Sequence, residues 1–200
     1  MDFLADGPGD ASQTLILAHG AGAAMDSEFM TFVAAAIAAE GIRVLRFEFP
    51  YMARRRASGK SSPPDREPVL LDTWRAAAAE CGAAHPFIGG KSMGGRMASM
   101  VADELGVAGL ACLGYPFHPP GRPERLRTAH LEHLRTPALI VQGTRDPFGT
   151  AEDVRSYTLS PAITIHWIED ANHDLRAPGR KKTDTWTEAA SAVAAFVKGR

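Results

Sequence analysis

The sequence has few cysteines and no long apolar run. Only two of its 200 residues are cysteine, Cys81 and Cys112, and both stand in apolar or alanine-rich surroundings. We interpret them as reduced structural thiols rather than as a disulfide or a nucleophile. No apolar run approaches the roughly 18 residues that a membrane span needs, and the first residues lack the basic and apolar regions of a secretory signal. The sequence therefore predicts a cytoplasmic protein with no membrane partner.

An excess of one charge sign is also missing. The chain has 22 Lys and Arg against 23 Asp and Glu, a net charge of -1. A balanced chain has no general electrostatic attraction to nucleic acid or to an anionic membrane. Its apolar fraction of 45% and charged fraction of 22% are typical of a globular protein. We expect one domain over residues 1–200, with a core large enough to need no disulfide or metal.

Short apolar runs alternate with longer amphipathic segments along the whole chain. Several of the runs are almost continuously hydrophobic, as in strands that are covered on both faces. The alternation predicts a three-layer α/β fold, with a mainly parallel sheet and helices on both faces. The predicted strands are Thr14–Ala18, Arg43–Phe47, Pro86–Gly90, Gly109–Gly114, Ala138–Gln142 and Ile163–Ile168. The predicted helices are Glu28–Glu40, Val69–Cys81, Met93–Leu105, Pro123–Leu134, Ala151–Tyr157 and Thr183–Lys198.

Two segments read as loops above the predicted sheet. The stretch 51–68 is rich in proline and arginine, and the stretch 115–122 carries a Pro-Pro pair. Neither is long enough to form a sizeable lid, so we expect an open pocket that suits small acyl substrates. The first strong strand starts some thirteen residues into the chain, which leaves little room for additional N-terminal strands.

The most informative stretch is 89–95, which reads Gly-Gly-Lys-Ser-Met-Gly-Gly and contains Gly-x-Ser-x-Gly around Ser92. It follows an apolar run directly and precedes a helix of small residues. A serine on a strand-to-helix turn adopts a strained backbone that costs about 1–3 kcal/mol, and the flanking glycines let strand and helix approach. Such a turn exposes the hydroxyl above the sheet. A glycine-rich turn without chemistry is the simpler alternative, but this context favours a nucleophile.

Two nucleotide-binding interpretations of the glycine motifs fail on spacing. Gly-Lys-Ser at 90–92 could end a P-loop, but the first glycine of that motif would fall on His85. The predicted strand also leaves no loop to wrap a phosphate. Gly-Ala-Gly at 20–22 could open a dinucleotide fingerprint, but its third small position falls on Met25.

A serine nucleophile needs a histidine base that is oriented by a carboxylate. Asp146 follows the fifth predicted strand, and His173 follows the last one. The carboxyl ends of parallel strands meet at one edge of the sheet, where open α/β folds bind ligands. Taken singly, Asp146 could only start a turn and His173 could be a solvated loop residue. Together with Ser92 they predict a catalytic triad, with Asp170 and Asp174 as alternative acids.

The turn after the first strong strand reads His-Gly-Ala-Gly-Ala at 19–23. Its small residues would let backbone N–H groups face a substrate carbonyl, as an oxyanion hole requires. We expect the N–H of Ala21, or else of Gly22, to act together with the N–H of Met93. His19 is interpreted as a structural histidine that braces this turn.

Four further residues are candidates for substrate contacts. Arg54, Arg55 and Lys60 could form an anion site, although a solvated basic loop explains them at least as well. His118 follows a predicted strand at the same edge of the sheet and could line the acyl pocket.

The chain resembles the α/β-hydrolase superfamily at these motifs. Its elbow, Gly-Gly-Lys-Ser-Met-Gly-Gly-Arg, and its first loop, His-Gly-Ala-Gly, are similar to those of small dienelactone-hydrolase-like members. They are also similar to the hydrolase-fold module of testis-expressed and chromatin-complex proteins. The resemblance extends from about Leu15 to Phe196, and it implies hydrolysis of a carboxyl ester or a similar acyl bond without a cofactor. Dienelactone hydrolases proper use a cysteine nucleophile, so the Ser92 elbow does not imply their substrate.

The sequence thus predicts a serine hydrolase that acts on a small-molecule ester or thioester through an acyl-enzyme on Ser92. Two alternatives stay open: a non-catalytic protein-interaction module on the same fold, and an intracellular peptidase or amidase with the same site. We expect no metal, because the one close histidine pair, His130 and His133, has no third ligand.

Overall fold

One seven-stranded sheet organises the computed structural model, which describes residues 1–200. The strands are β1 (Leu4–Asp6), β2 (Thr14–Ala18), β3 (Arg43–Phe47), β4 (Phe87–Lys91), β5 (Gly109–Leu113), β6 (Ala138–Gly143) and β7 (Ile163–Ile168). Their order across the sheet is β1-β3-β2-β4-β5-β6-β7. All neighbouring pairs are parallel except β1, which runs antiparallel to β3. The strands β2, β5 and β6 are buried along their whole length, which explains their continuous apolar sequences.

Helices cover both faces of the sheet. They are α1 (Glu28–Ala38), α2 (Pro50–Ser58), α3 (Glu67–Glu80), α4 (Met93–Leu105), α5 (Ala151–Arg155) and α6 (Lys182–Lys198). Helices α1 and α6 pack on each other on one face, and α3 and α4 do so on the other. Each face has its own apolar cluster, of 23 and 26 buried residues. None of the helices is long and apolar enough to span a bilayer.

The predicted three-layer α/β fold without a lid is confirmed, and most elements lie within two residues of their predicted bounds. Three local predictions were wrong. The stretch 51–68 is not one irregular loop, because Pro50 at the first helical position starts α2, which ends at the left-handed Gly59. The stretch 123–134 holds only a short 3₁₀ turn, Leu131–His133. Its first residues are exposed, so no apolar face stabilises a helix there. A short N-terminal strand, β1, also exists.

Candidate active site

Ser92 lies between the end of β4 and the start of α4, on a turn with a positive φ of 51°. Its N–H donates to Leu113 O at 3.0 Å, which fixes the turn against β5. A Cβ at Gly94 would lie 2.6 Å from the carbonyl oxygens of Ala18 and His19, so glycine is required for α4 to approach β2. The strained turn therefore holds the Ser92 hydroxyl at the carboxyl edge of the sheet.

Ser92, His173 and Asp146 form one continuous chain of hydrogen bonds. The Ser92 Oγ donates to His173 Nε2 at 2.8 Å, and the Nδ1–H of His173 donates to Asp146 Oδ2 at 2.8 Å. These roles follow from the acceptor-only carboxylate at one end of the chain. The structure thus brings together the three residues that the sequence predicted, from the ends of three different strands. The arrangement suits proton transfer from the serine to the imidazole.

Asp146 is completely buried and well supplied with donors. Its Oδ1 accepts from Phe148 N at 2.8 Å, and its Oδ2 accepts from Gln142 Nε2 at 2.9 Å. Gln142 is itself fixed, because its Oε1 accepts from Tyr115 N at 2.7 Å. Gln142 was not predicted from the sequence, where its only signal is a polar residue near the end of an otherwise apolar strand. Together these donors stabilise a carboxylate away from water.

The loop 169–176 holds His173 in place from outside the sheet. The Phe148 ring packs on the imidazole with a centroid distance of 4.1 Å. Asn172 Oδ1 accepts from Asp174 N at 3.0 Å and from Arg176 N at 3.2 Å, so the loop is closed on itself. Asp170, by contrast, pairs with Arg145 at 3.5 Å on the surface. His173 thus turns Nδ1 toward Asp146 and not toward either alternative acid.

The loop 19–24 also borders Ser92, and it is held in place by the side chains of Tyr51 and His19. The Tyr51 hydroxyl is 3.2 Å from Gly20 O and 3.1 Å from Ala21 O. His19 Nδ1 donates to Gly20 O at 2.7 Å, and its Nε2 accepts from Phe49 N at 3.1 Å. Burial lowers the pKa of His19, which agrees with this neutral, structural tautomer.

The backbone N–H groups of this loop remain available. The carbonyls of Gly20 and Ala21 are engaged by Tyr51, whereas the N–H groups of Ala21 and Gly22 donate to no group of the protein. Both residues line the cavity beside Ser92. Met93, the other predicted donor, is the first residue of α4, where N–H groups have no partner within the helix.

Lys91 directly precedes Ser92, and its side chain reaches the loop 169–176. Its Nζ donates to His173 O at 2.7 Å, and it lies 5.9 Å from the centre of the Phe29 ring. Burial lowers the pKa of Lys91 to about 8, although Asp146 and Asp174 act in the opposite direction. From the sequence, Lys91 was weighed only as a P-loop lysine. The sequence signal for a role of Lys91 in the site is a charged residue placed between the apolar run of β4 and Ser92.

A cavity of about 360 Å³ opens beside Ser92 and His173. It lies between the loop 19–24, the first turn of α1 and the loop 169–176. Phe29, Met30, Phe148 and Trp186 form its apolar walls, and Lys91, Asp174 and Arg176 are its charged residues. The site therefore has an apolar wall beside a serine–histidine pair.

The four candidate substrate contacts do not line this cavity. The His118 side chain is buried, where Nδ1 donates to Pro119 O at 2.9 Å and Nε2 lies 3.7 Å from Asp153. The strand end that carries His118 turns inward to pack, which takes the imidazole away from Ser92. The prediction that His118 lines the pocket is corrected accordingly.

The basic residues of α2 and the segment after it also lie elsewhere. Arg54 pairs with Asp65, and the Arg55 guanidinium donates to Ser62 O. Arg54 and Lys60 border a separate, shallow surface depression. Because helix formation turns these arginines toward partners in their own segment, they do not converge on the Ser92 cavity as an anion site would require.

Fold and site together define the class of protein. The sequence matches the family described as alpha/beta hydrolase domain over residues 11–198, so the chain belongs to the α/β-hydrolase family. Among curated proteins it is similar to a carboxymethylenebutenolidase of Pseudomonas sp. (strain P51), with 34% identity over 107 residues. That match covers 52% of this chain and 42% of the relative, so the chain spans less than half the length of that relative.

Solved structures show the same fold at low sequence identity. An α/β serine hydrolase without a lid from Xanthomonas campestris is 22% identical, with a TM-score of 0.71, and the match covers 98% of this chain and 89% of that one. A dienelactone hydrolase from Anabaena variabilis is 20% identical, with a TM-score of 0.74 and the same coverage of 98% and 89%. These likenesses extend over nearly the whole chain.

Proposed function

We propose that this chain is a serine hydrolase that cleaves a carboxyl ester or a related acyl bond through an acyl-enzyme on Ser92. The observation that carries the proposal is the hydrogen-bonded chain from Ser92 through His173 to the buried Asp146, with both distances at 2.8 Å. Membership of the α/β-hydrolase family supports it. We further propose that the protein acts in the cytoplasm, in keeping with its two free, buried cysteines.

The proposed reaction has two acyl-transfer steps. Ser92 Oγ attacks the substrate carbonyl carbon while His173 Nε2 takes the hydroxyl proton, and Asp146 stabilises the imidazolium. The negative oxygen of the tetrahedral intermediate accepts hydrogen bonds from the N–H groups of Met93 and Ala21, with Gly22 as a second donor in the same loop. The intermediate collapses, the bond to the leaving group breaks, and His173 returns the proton to that group. In the second step His173 takes a proton from water while the water oxygen attacks the acyl carbon. The bond from that carbon to Ser92 Oγ then breaks, and His173 returns the proton to Oγ.

The substrate is proposed to be a small acyl compound. The cavity beside Ser92 has no lid above it, so it suits a small or exposed acyl group better than a long chain that has to be buried. The likeness to carboxymethylenebutenolidase and to dienelactone hydrolase supports a small-molecule substrate in general. It does not extend to their particular substrate, because the nucleophile proposed here is a serine.

A fluorophosphonate probe tests the proposal, with the intact mass as the readout. Wild-type protein should gain one adduct, and Ser92→Ala should gain none. Ser99→Ala is the matched control, because Ser99 Oγ also lies 2.8 Å from a histidine, His130 Nε2. Ser99 is buried in α4, with no oxyanion loop facing it, and should therefore stay unlabelled. Absence of an adduct on folded wild-type protein would contradict the proposal.

A further inference from the structure

We propose that Lys91 is a positioning residue of this site, whose ammonium group holds the loop 169–176 so that His173 reaches both Ser92 and Asp146. The inference rests on the proposed function. Lys91 is the last residue of β4, whereas His173 follows β7, three strands away in the sheet. The Nζ–O hydrogen bond of 2.7 Å therefore ties the base to the strand that carries the nucleophile.

The carbonyl oxygen of His173 accepts a hydrogen bond from Lys91 Nζ alone. No other group of the protein donates to it. A charge-assisted hydrogen bond is roughly twice as strong as a neutral one. Loss of the ammonium would leave the backbone at His173 free to shift. Even a small displacement of the proposed base would lower the rate strongly.

A glycine after the neighbouring strand β5 leaves room for the hydrogen bond between Lys91 and His173. Gly114, the first residue after β5, has a φ of 65°, and a Cβ there would lie 2.9 Å from His173 O and 3.1 Å from Lys91 Nζ. A larger residue would push both groups outward. The glycine thus gives the lysine and the loop a common space above β5.

Burial makes the contact sensitive to pH, because it lowers the pKa of Lys91 against the attraction of the nearby carboxylates. Asp146 approaches from the loop after β6, Asp174 and Arg176 come from the loop after β7, and α1 contributes only the Phe29 ring. The pKa of Lys91 falls to about 8 in the folded protein, from 10.5 in an ordinary lysine. Between these two values the unfolded chain binds more protons, so stability rises with pH in that window. At neutral pH, charging the buried Lys91 therefore costs stability relative to its neutral amine.

Lys91→Met is the test variant, Lys91→Arg retains the charge, and Lys198→Met is the control for loss of an exposed lysine on α6. We expect Lys91→Met to slow fluorophosphonate labelling about 10-fold, the equivalent of one hydrogen bond. Its Tm should stay equal to that of wild type or rise by about 2–4 °C. Lys91→Arg should recover part of the rate. In wild type the labelling rate should fall as the pH rises through about 8, and this fall should be absent from Lys91→Met.

Two results would overturn the inference. One is labelling of Lys91→Met at the wild-type rate, and the other is a loss of rate that a lower Tm accompanies in proportion, since that would show a structural role. If wild-type protein is not labelled at all, the proposed function fails and NMR decides the inference. The His173 imidazole signals should then show a transition near pH 8 in wild type that is missing from Lys91→Met. Identical titrations would contradict the positioning role.

Discussion

The two loops that flank Ser92 are held by different kinds of contact. The loop 19–24 is braced by the Tyr51 hydroxyl and by a neutral His19. The loop 169–176 is braced by the Lys91 ammonium and, through the His173 imidazole, by the carboxylate of Asp146. The first presents backbone N–H groups that we propose as an oxyanion hole, whereas the second presents the proposed base, which must gain and lose a proton. Neutral contacts thus hold the proposed oxyanion side of the site, and charged contacts hold the proposed proton-transfer side.

The difference determines where pH acts. Burial raises the pKa of Tyr51 to about 12 and lowers that of His19, so both keep one protonation state from neutral pH to well above 9. Lys91, with its pKa near 8, changes charge within that range. The alkaline response of the proposed activity should therefore originate at Lys91, which braces the loop 169–176, and not in the residues that brace the loop 19–24.

The largest expected effect on kcat comes from removing the negative charge of Asp146, on the charged side of the site. Asp146→Asn should lower kcat about 10⁴-fold, because the amide favours the wrong imidazole tautomer and cannot stabilise the imidazolium. Steady-state hydrolysis of a short ester would measure it. Asp170→Asn and Asp174→Asn are the matched controls and should stay within a few-fold of wild type. A larger loss in either control than in Asp146→Asn would identify a different acid.

A smaller effect comes from disturbing the Lys91–His173 contact without changing either residue. Gly114→Ala should lower kcat about 10²-fold, because the new Cβ displaces the loop 169–176. Gly106→Ala is the control: Gly106 also has a positive φ, 59° against 65°, but open space surrounds it. Both variants should lose about 1–2 kcal/mol of stability from backbone strain. If kcat fell equally in both, strain rather than displacement would be the cause.

Removing a neutral contact of the loop 19–24 should lower kcat less, and by a factor that does not depend on pH. Tyr51→Phe removes the hydroxyl from the Gly20 and Ala21 carbonyls, at a cost of about 0.5–1.5 kcal/mol. We expect kcat to fall by up to about 10-fold, by the same factor from pH 7 to pH 9. Tyr157→Phe serves as the control, since that hydroxyl has no hydrogen-bond partner. A loss that grows as the pH rises through 8 would show that the two loops are coupled.

The smallest effect concerns the cavity that lies between the two loops. Acetyl and butyryl esters should have a several-fold higher kcat/KM than decanoyl esters of the same alcohol, because no lid covers the cavity and the far end of a long chain would stay in water. A series of p-nitrophenyl esters would measure the ratio. A preference for the decanoyl ester would show that the acyl chain binds elsewhere on the surface.

The residues that carry the proposed chemistry could be predicted from the sequence, whereas most of their braces could not. Ser92, Asp146 and His173 each follow an apolar strand, and parallel strands bring their carboxyl ends together whatever the details of packing. Gln142, Lys91 and Tyr51 act across strands or from another helix, so their roles depend on distances that only the packed fold defines.

The errors have the same origin. Composition predicted a loop at 51–68, yet Pro50 starts a helix that carries Tyr51 beneath the loop 19–24. His118 was expected at the pocket because it follows a strand. Its side chain instead turns into the core, a direction that strand order does not specify.

The most direct test of the account is to trap the acyl-enzyme itself. Wild-type protein would be mixed with a short activated ester, quenched in acid within milliseconds, and digested for peptide mass mapping. The account predicts one acyl group per chain, on the peptide and residue of Ser92, at a level that matches the burst of released alcohol. Turnover with no acylated Ser92, or an acyl group on another residue such as Ser99 or Lys91, would contradict it.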